Sequence, residues 1–120
     1  MPFIDIKNIA PLQIVPGCRI RTPYGQNIMM SYLEMDEGAE VPLHHHPHEQ
    51  CGMLLKGRME LTIGDETQKC QAGSMFIIPP NTPHRAVAID GPALVLDIFS
   101  PIREDYAERF NQYIPSTEEA

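Results

Sequence analysis

No apolar stretch in this chain approaches the ~20 residues that a membrane-crossing helix requires. The opening MPFIDIKNIA has an acid at Asp5 and no sustained apolar run, so it lacks the pattern of a secretory signal. A cytoplasmic protein with no membrane partner is the expectation. Basic residues are scarce as well: 9 Lys and Arg against 16 Asp and Glu leave a net charge of −7, with no Lys/Arg cluster. Nucleic acid demands a basic face, and the sequence offers none. Cysteine is limited to Cys18, Cys51 and Cys70, with no CxxC pair. An odd count cannot pair within one chain, so these read as free thiols in a reducing compartment, packed mainly as small hydrophobes. Internal repeats and low-complexity linkers are absent.

What is present is a succession of short strands. A length of 120 residues allows a single domain, 1–120, with one core. Apolar or alternating segments at 12–15, 18–21, 27–35, 40–46, 51–55, 58–63, 66–71, 74–78, 84–89 and 93–99 are separated by turn signals such as Pro16-Gly17, Gly64-Asp65 and Pro79-Pro80-Asn81. That rhythm predicts an all-β sandwich or barrel. Only 103–113, REDYAERFNQY, predicts a helix, with Tyr106 and Phe110 at i and i+4 and Ser100-Pro101 as its start signal. The tail PSTEEA is expected to fray. Arg19 and Arg21 fall on one face of a strand, as solvated charge or as an anion contact at a barrel mouth.

The chemistry is concentrated in 38–57, GAEVPLHHHPHEQCGMLLKG. Strand side chains alternate faces, so His44 and His46 project to one side and His45 to the other, a metal-ligand spacing. Neutral imidazole is the commonest protein ligand for transition metals. Gln50 continues the even-numbered phase, although Pro47 argues against one unbroken strand from 44 to 50. His84 is the only histidine outside the run and the natural further candidate. A solvated His-rich loop is the bland reading, disfavoured because the run lies between two apolar strands. His48 reads as a supporting neighbour or an exposed loop residue, and Cys51 as core. An acidic protein that binds an anion needs a local cation, and a metal ion supplies one.

These residues resemble the two signature motifs of the cupin family. The first, G-x5-H-x-H-x3-4-E-x6-G, is matched by Gly38, His44, His46, Gln50 and Gly57, with Gln in place of the usual Glu. The second, G-x5-P-x-G-x2-H-x3-N, is matched at Gly73, Pro79 and His84 and departs at Asn81 and Ala88. The resemblance implies a cupin jelly-roll β-barrel with a short C-terminal helix. It also implies one divalent transition metal, Zn, Ni, Fe or Mn, held by His44, His46, Gln50 and His84. Three imidazoles and a neutral amide leave the metal its full charge, which strengthens it as a Lewis acid and anion anchor.

A third segment, DIFSPIR, carries Asp97, Phe99, Pro101 and Arg103, and with the HxHPHEQ run it is similar to the pectin-degradation cupins of the KdgF family. That resemblance implies opening of cyclic 4,5-unsaturated uronates to linear keto sugars. Asp97 would be the acid/base, Phe99 would line the sugar pocket, and Arg103 would hold the carboxylate of a small anionic sugar-like substrate. Ring opening and ketonisation need a proton removed from the anomeric hydroxyl and one delivered to carbon, a task for a positioned carboxylate. A metal-dependent cupin dioxygenase and a non-catalytic sugar-binding or sensor cupin are the competing expectations. Oxygen consumption would mark the first, and binding without turnover the second. Cupins commonly pair through edge strands, so a homodimer is expected.

Overall fold

Polar and apolar side chains alternate along nearly every segment, and in the computed structural model, which describes residues 2–109, that alternation becomes the two faces of a barrel wall. A 3-10 turn at Ile6–Asn8 precedes eight strands: β1 (Leu12–Val15), β2 (Cys18–Arg21), β3 (Met29–Met35), β4 (Glu40–His44), β5 (Glu49–Ile63), β6 (Glu66–Gln71), β7 (Met75–Ile78) and β8 (His84–Ser100). A helix, α1 (Glu104–Arg109), follows. Residues 110–113 of the expected helix, Phe110 among them, and the tail beyond lie outside the described residues.

Two long strands build the barrel, because each belongs to both of its sheets. The second half of β8 pairs with β3 and with the first half of β5, and its first half pairs with the second half of β5 and with β4. β7 extends one sheet beside Gln50 to Met53, and β6 extends the other beside Arg58 to Ile63. The sequence predicts two strands at 51–55 and 58–63, hinged at Lys56-Gly57, and two more at 84–89 and 93–99. The structure instead has continuous strands that bend. Register shifts between Leu54 and Lys56 and between Lys56 and Arg58 turn β5 without ending its ladder. Asp90 and Gly91, at φ 57° and 122°, make the corresponding corner in β8.

The inward faces supply the core: Ile20, Leu33, Met35, Leu54, Met59, Ala88 and Val95 are all buried in one cluster, with Cys18 and Cys70 packed among them as expected. Cys51 is exposed, because its strand phase turns it to the outer surface beside the inward Gln50. Arg19 and Arg21 also point outward, paired with Asp36 at 3.0 Å and Glu34 at 2.8 Å. Arg19 is solvated surface charge, whereas Arg21 is partly buried, its Nε donating to the Ile9 carbonyl at 2.9 Å, and neither lines the cavity beside the histidines. Among the described residues no helix is long and apolar enough to cross a membrane.

Gly57, at the bend of β5, has φ 84°, and a Cβ there would collide with the Pro92 carbonyl oxygen. Gly38 has a similar φ of 78° but nothing within 4 Å. Gly38→Ala should cost only the ~1–2 kcal/mol of left-handed strain. Gly57→Ala should cost more, because the backbone of the facing corner has to move. Urea unfolding of the two variants checks this, and equal losses would contradict it.

Candidate metal centre

The site lies where β4, the β4–β5 connection, the start of β5 and the start of β8 meet. His44 ends β4 directly opposite His84, the first residue of β8. His46 follows in the connection, as Pro47 led the sequence to expect for a run that does not continue as one strand. Its backbone carbonyl accepts the Asn81 N–H at 2.7 Å, and Asn81 takes the left-handed conformation, φ 61°, that the β7–β8 turn needs. His45 is exposed, while the rings of His44, His46 and His84 converge, with centroids between 4.2 and 5.6 Å apart. A ligand-capable atom from each lies within 4.8 Å of the others, so the three histidines could hold a metal ion.

Proton bookkeeping on the rings tests that fit. Nδ1 of His44 faces the Pro42 carbonyl at 2.8 Å, and Nδ1 of His84 faces the Thr82 carbonyl at 2.8 Å. Each must donate there, which leaves each Nε2 as a lone pair, and that of His84 is buried with no partner among the described residues. His46 sits between two oxygens, the His48 carbonyl at 3.2 Å from Nδ1 and Gln50 Oε1 at 3.1 Å from Nε2. A neutral imidazole can donate to only one of them. Protonation of the ring is opposed by burial, by the Arg103 charge and by His84, which together lower His46 to about 4. A cation between Nε2 and Oε1 resolves the conflict, and carbonyl acceptance of the other ring N–H is the usual support of a metal-bound histidine. His84 is also lowered to about 4, first by burial and then by His44 and Arg103 against the opposing Thr82 hydrogen bond, and burial leads in lowering His44.

His48 is buried, and its Nε2 lies 2.9 Å from Glu104 at the start of α1. It supports the site by its carbonyl and ties the helix to the histidine connection. Cys51, on the outer face, takes no part.

One layer further along the inward faces stand the remaining expected residues. Phe99 is cross-strand to both Met29 and Gln50, and Asp97 is cross-strand to both Ser31 and Gly52. Phe99 is 3% exposed, edge-on to His46 at 5.6 Å, so it serves at once as core and as cavity wall. Asp97 is 5% exposed, faces inward and is not a strand-end residue capping backbone. Burial pushes its carboxyl up to about 7, against the opposing Gln50 hydrogen bond and Arg103 charge, and its Oδ1 has no partner among the described residues. Arg103, 8% exposed, stacks 3.9 Å over Tyr106. His44, Gln50, His84, Asp97, Phe99 and Arg103 line one cavity of about 50 Å³ whose inner wall is apolar.

Gly52, Ser31 and Tyr106 also belong to this wall or to its support; the sequence reading passes over Gly52 and Ser31 and names Tyr106 only as a residue of the predicted helix. A Cβ on Gly52 would meet Asp97 Oδ1 at 2.5 Å and Phe76 Cζ at 2.6 Å, so the missing side chain makes the space that Asp97 occupies. A glycine inside a strand is the signal that could have found it. Ser31, a hydroxyl in the apolar phase of Met29, Leu33 and Met35, carries a comparable signal.

An antiparallel two-sheet barrel with a cluster of three histidines that could hold a metal ion defines a protein of the double-stranded β-barrel class. The cupin domain model matches residues 31–99, and the chain belongs to the cupin family. It is similar to the H2HPP isomerase of Bacillus subtilis, 37% identical over 60 residues, which are 49% of this chain and 25% of that protein. It is also similar to the pectin degradation protein KdgF of Dickeya dadantii, 26% identical over 84 residues, 69% of this chain and 76% of that one. Among solved structures, KdgF from a Halomonas species superposes with a TM-score of 0.82 at 29% identity, covering 88% of this chain and 98% of that one.

The lowered histidines carry a pH signature for the metal-free protein. Below about 6.5 the unfolded chain binds protons that folded His46 and His84 refuse until about 4, so stability falls as pH drops through that window. Asp97, raised to about 7, acts in the opposite sense but is outnumbered. Thermal melts between pH 7 and pH 4.5 should fall steadily for the wild type and more shallowly for His84→Ala. Divalent metal should raise the melting temperature at pH 7 in the wild type and not in His84→Ala. A flat wild-type profile, or equal metal stabilisation of both proteins, would contradict the assignment.

Proposed function

We propose that this cupin is a metal-dependent enzyme that opens a cyclic 4,5-unsaturated uronate to its linear keto form. The observation that carries the reading is a buried carboxyl poised near neutrality, Asp97, in the same cavity as Arg103 and two of the three convergent histidines, His44 and His84. The extent of the likeness to KdgF proteins supports the choice of substrate class. The match to an isomerase from Bacillus is compatible with a reaction that moves protons without adding or losing atoms.

His44, His46 and His84 would hold the metal, with Gln50 Oε1 as a fourth donor. Bound there, a divalent ion supplies Lewis acidity and a positive anchor for the sugar's oxygens. The cavity has room for a few waters only, so a sugar ring lies at its mouth and presents one edge to Asp97. Arg103 holds the carboxylate and Phe99 forms the wall beneath the ring. Asp97, as carboxylate, accepts the proton of the anomeric hydroxyl while the bond from C1 to the ring oxygen breaks and C1 becomes an aldehyde. The ring oxygen is left on the former double bond as an enolate. Protonation at C4 by the Asp97 acid then yields the keto group at C5 and returns the carboxylate. A value near 7 lets one group do both steps at neutral pH.

Metal-loaded protein should therefore accelerate loss of the C4–C5 double-bond absorbance of freshly made unsaturated galacturonate, and Asp97→Asn should lower that rate by ~10²–10⁴-fold. Equal rates for wild type and variant would remove Asp97 from the chemistry, and no acceleration at all would reject the substrate.

We further propose that the protein acts as a homodimer through the outer face of the sheet containing β7. Met30, Ile98, Cys51 and Ile77 form one cross-strand row on that face, and Leu96, Met53 and Met75 form the next. Met75 and Ile77 are 75% and 66% exposed, as is typical of an apolar patch that is covered in an assembly. Sedimentation should give a dimer for the wild type and a monomer for Ile77→Lys combined with Met53→Lys. A monomeric wild type would reject the proposal.

A further inference from the structure

Among the described residues Arg103 is the only Lys or Arg in the cavity wall, yet one edge of its guanidinium is already engaged. Nε donates to Asp105 Oδ1 at 3.3 Å and Nη2 to Oδ2 at 2.8 Å, a fork-to-fork pair. The stack on Tyr106 at 3.9 Å and the contact with Phe99 at 5.1 Å fix the plane of the group. Side-chain exposure is 10% for Arg103 and 55% for Asp105, so the carboxylate approaches from the solvent side. Among the described residues Nη1 makes no hydrogen bond, so the free edge of the guanidinium is Nη1 with the second proton of Nη2. Burial pushes the Asp105 carboxyl up, but the Arg103 hydrogen bond and charge outweigh it and keep Asp105 below its ordinary value. It stays charged at neutral pH and offsets part of the arginine's charge.

The geometry points to Asp105 as a positioning residue that sets ligand charge. By holding one edge of Arg103 and offsetting its charge, Asp105 leaves a single donor edge that receives a carboxylate monoanion and disfavours a phosphate dianion. The inference rests on the reading that an anionic sugar binds at Arg103. A residue that merely started α1 would affect stability but not the choice between anions.

Calorimetric titration of the metal-loaded protein with galacturonate and with galactose 6-phosphate separates these roles. The wild type should prefer galacturonate. Asp105→Asn should weaken galacturonate and strengthen the phosphate, lowering the preference ~10-fold, the scale of one charge-assisted hydrogen bond. Asp105→Glu should restore most of the preference. The Arg103 Nε–H proton resonance should be protected from solvent exchange in the wild type and lose that protection in Asp105→Ala. A wild type that binds galacturonate with a preference unchanged in Asp105→Asn would overturn this inference and leave the uronate reading standing. A wild type that binds neither anion would overturn both.

Discussion

Asp97 occupies space that a side chain at position 52 would otherwise fill, and the character of the site follows from that substitution of one group for another. A methyl on Gly52 would stand 2.5 Å from Oδ1 of Asp97 and press on the Phe76 ring. Because the facing strand gives up its side chain, a carboxyl fits inside a barrel whose other inward residues at this depth are mostly apolar. Removal from water then disfavours the charged form, and the pKa rises to about 7. The near-neutral carboxyl is therefore a consequence of packing, and it needs no unusual partner.

The histidines are governed by the same scarcity of water. The Nδ1 protons of His44 and His84 are taken by carbonyls of the adjoining backbone, which leaves their Nε2 atoms as lone pairs, and His46 lies between two oxygens of which it can satisfy only one. Arg103, close enough to lower all three, adds to the cost of protonating them. A cation removes that conflict, and Gln50 adds its amide oxygen without adding negative charge. The positive charge on such a cation would remain for an anionic ligand, with the Arg103 edge beside it.

Much of this was legible from spacing. The HxH phase, the glycines of the two motifs and the density of turns led to the cupin family and to the cluster of His44, His46 and His84. The bend of β5 was legible as a hinge at Lys56-Gly57, but neither the continuity of β5 and β8 nor the bend of β8 was, because a bulge and a break leave similar Gly and polar signatures while only the ladder between the two strands tells them apart. Cys51 was misread because a strand beside a metal site has an outer face too, and its phase relative to Gln50 puts the thiol there. Gly52 and Asp105 were passed over for a different reason. Their importance lies in what they stand next to, Asp97 and Arg103: a glycine inside a strand marks position 52 as unusual, but no local pattern names the neighbour of either residue.

The central claim is that one carboxyl, Asp97, carries the proton from oxygen to carbon. Running the reaction in D₂O and examining the linear product by NMR tests it most directly. Delivery from a fixed group on one face predicts a single deuterium at C4, in one stereochemical position. Deuterium divided equally between the two positions would mean that the enol is released and ketonises in solution, and Asp97 could not then be the carbon acid.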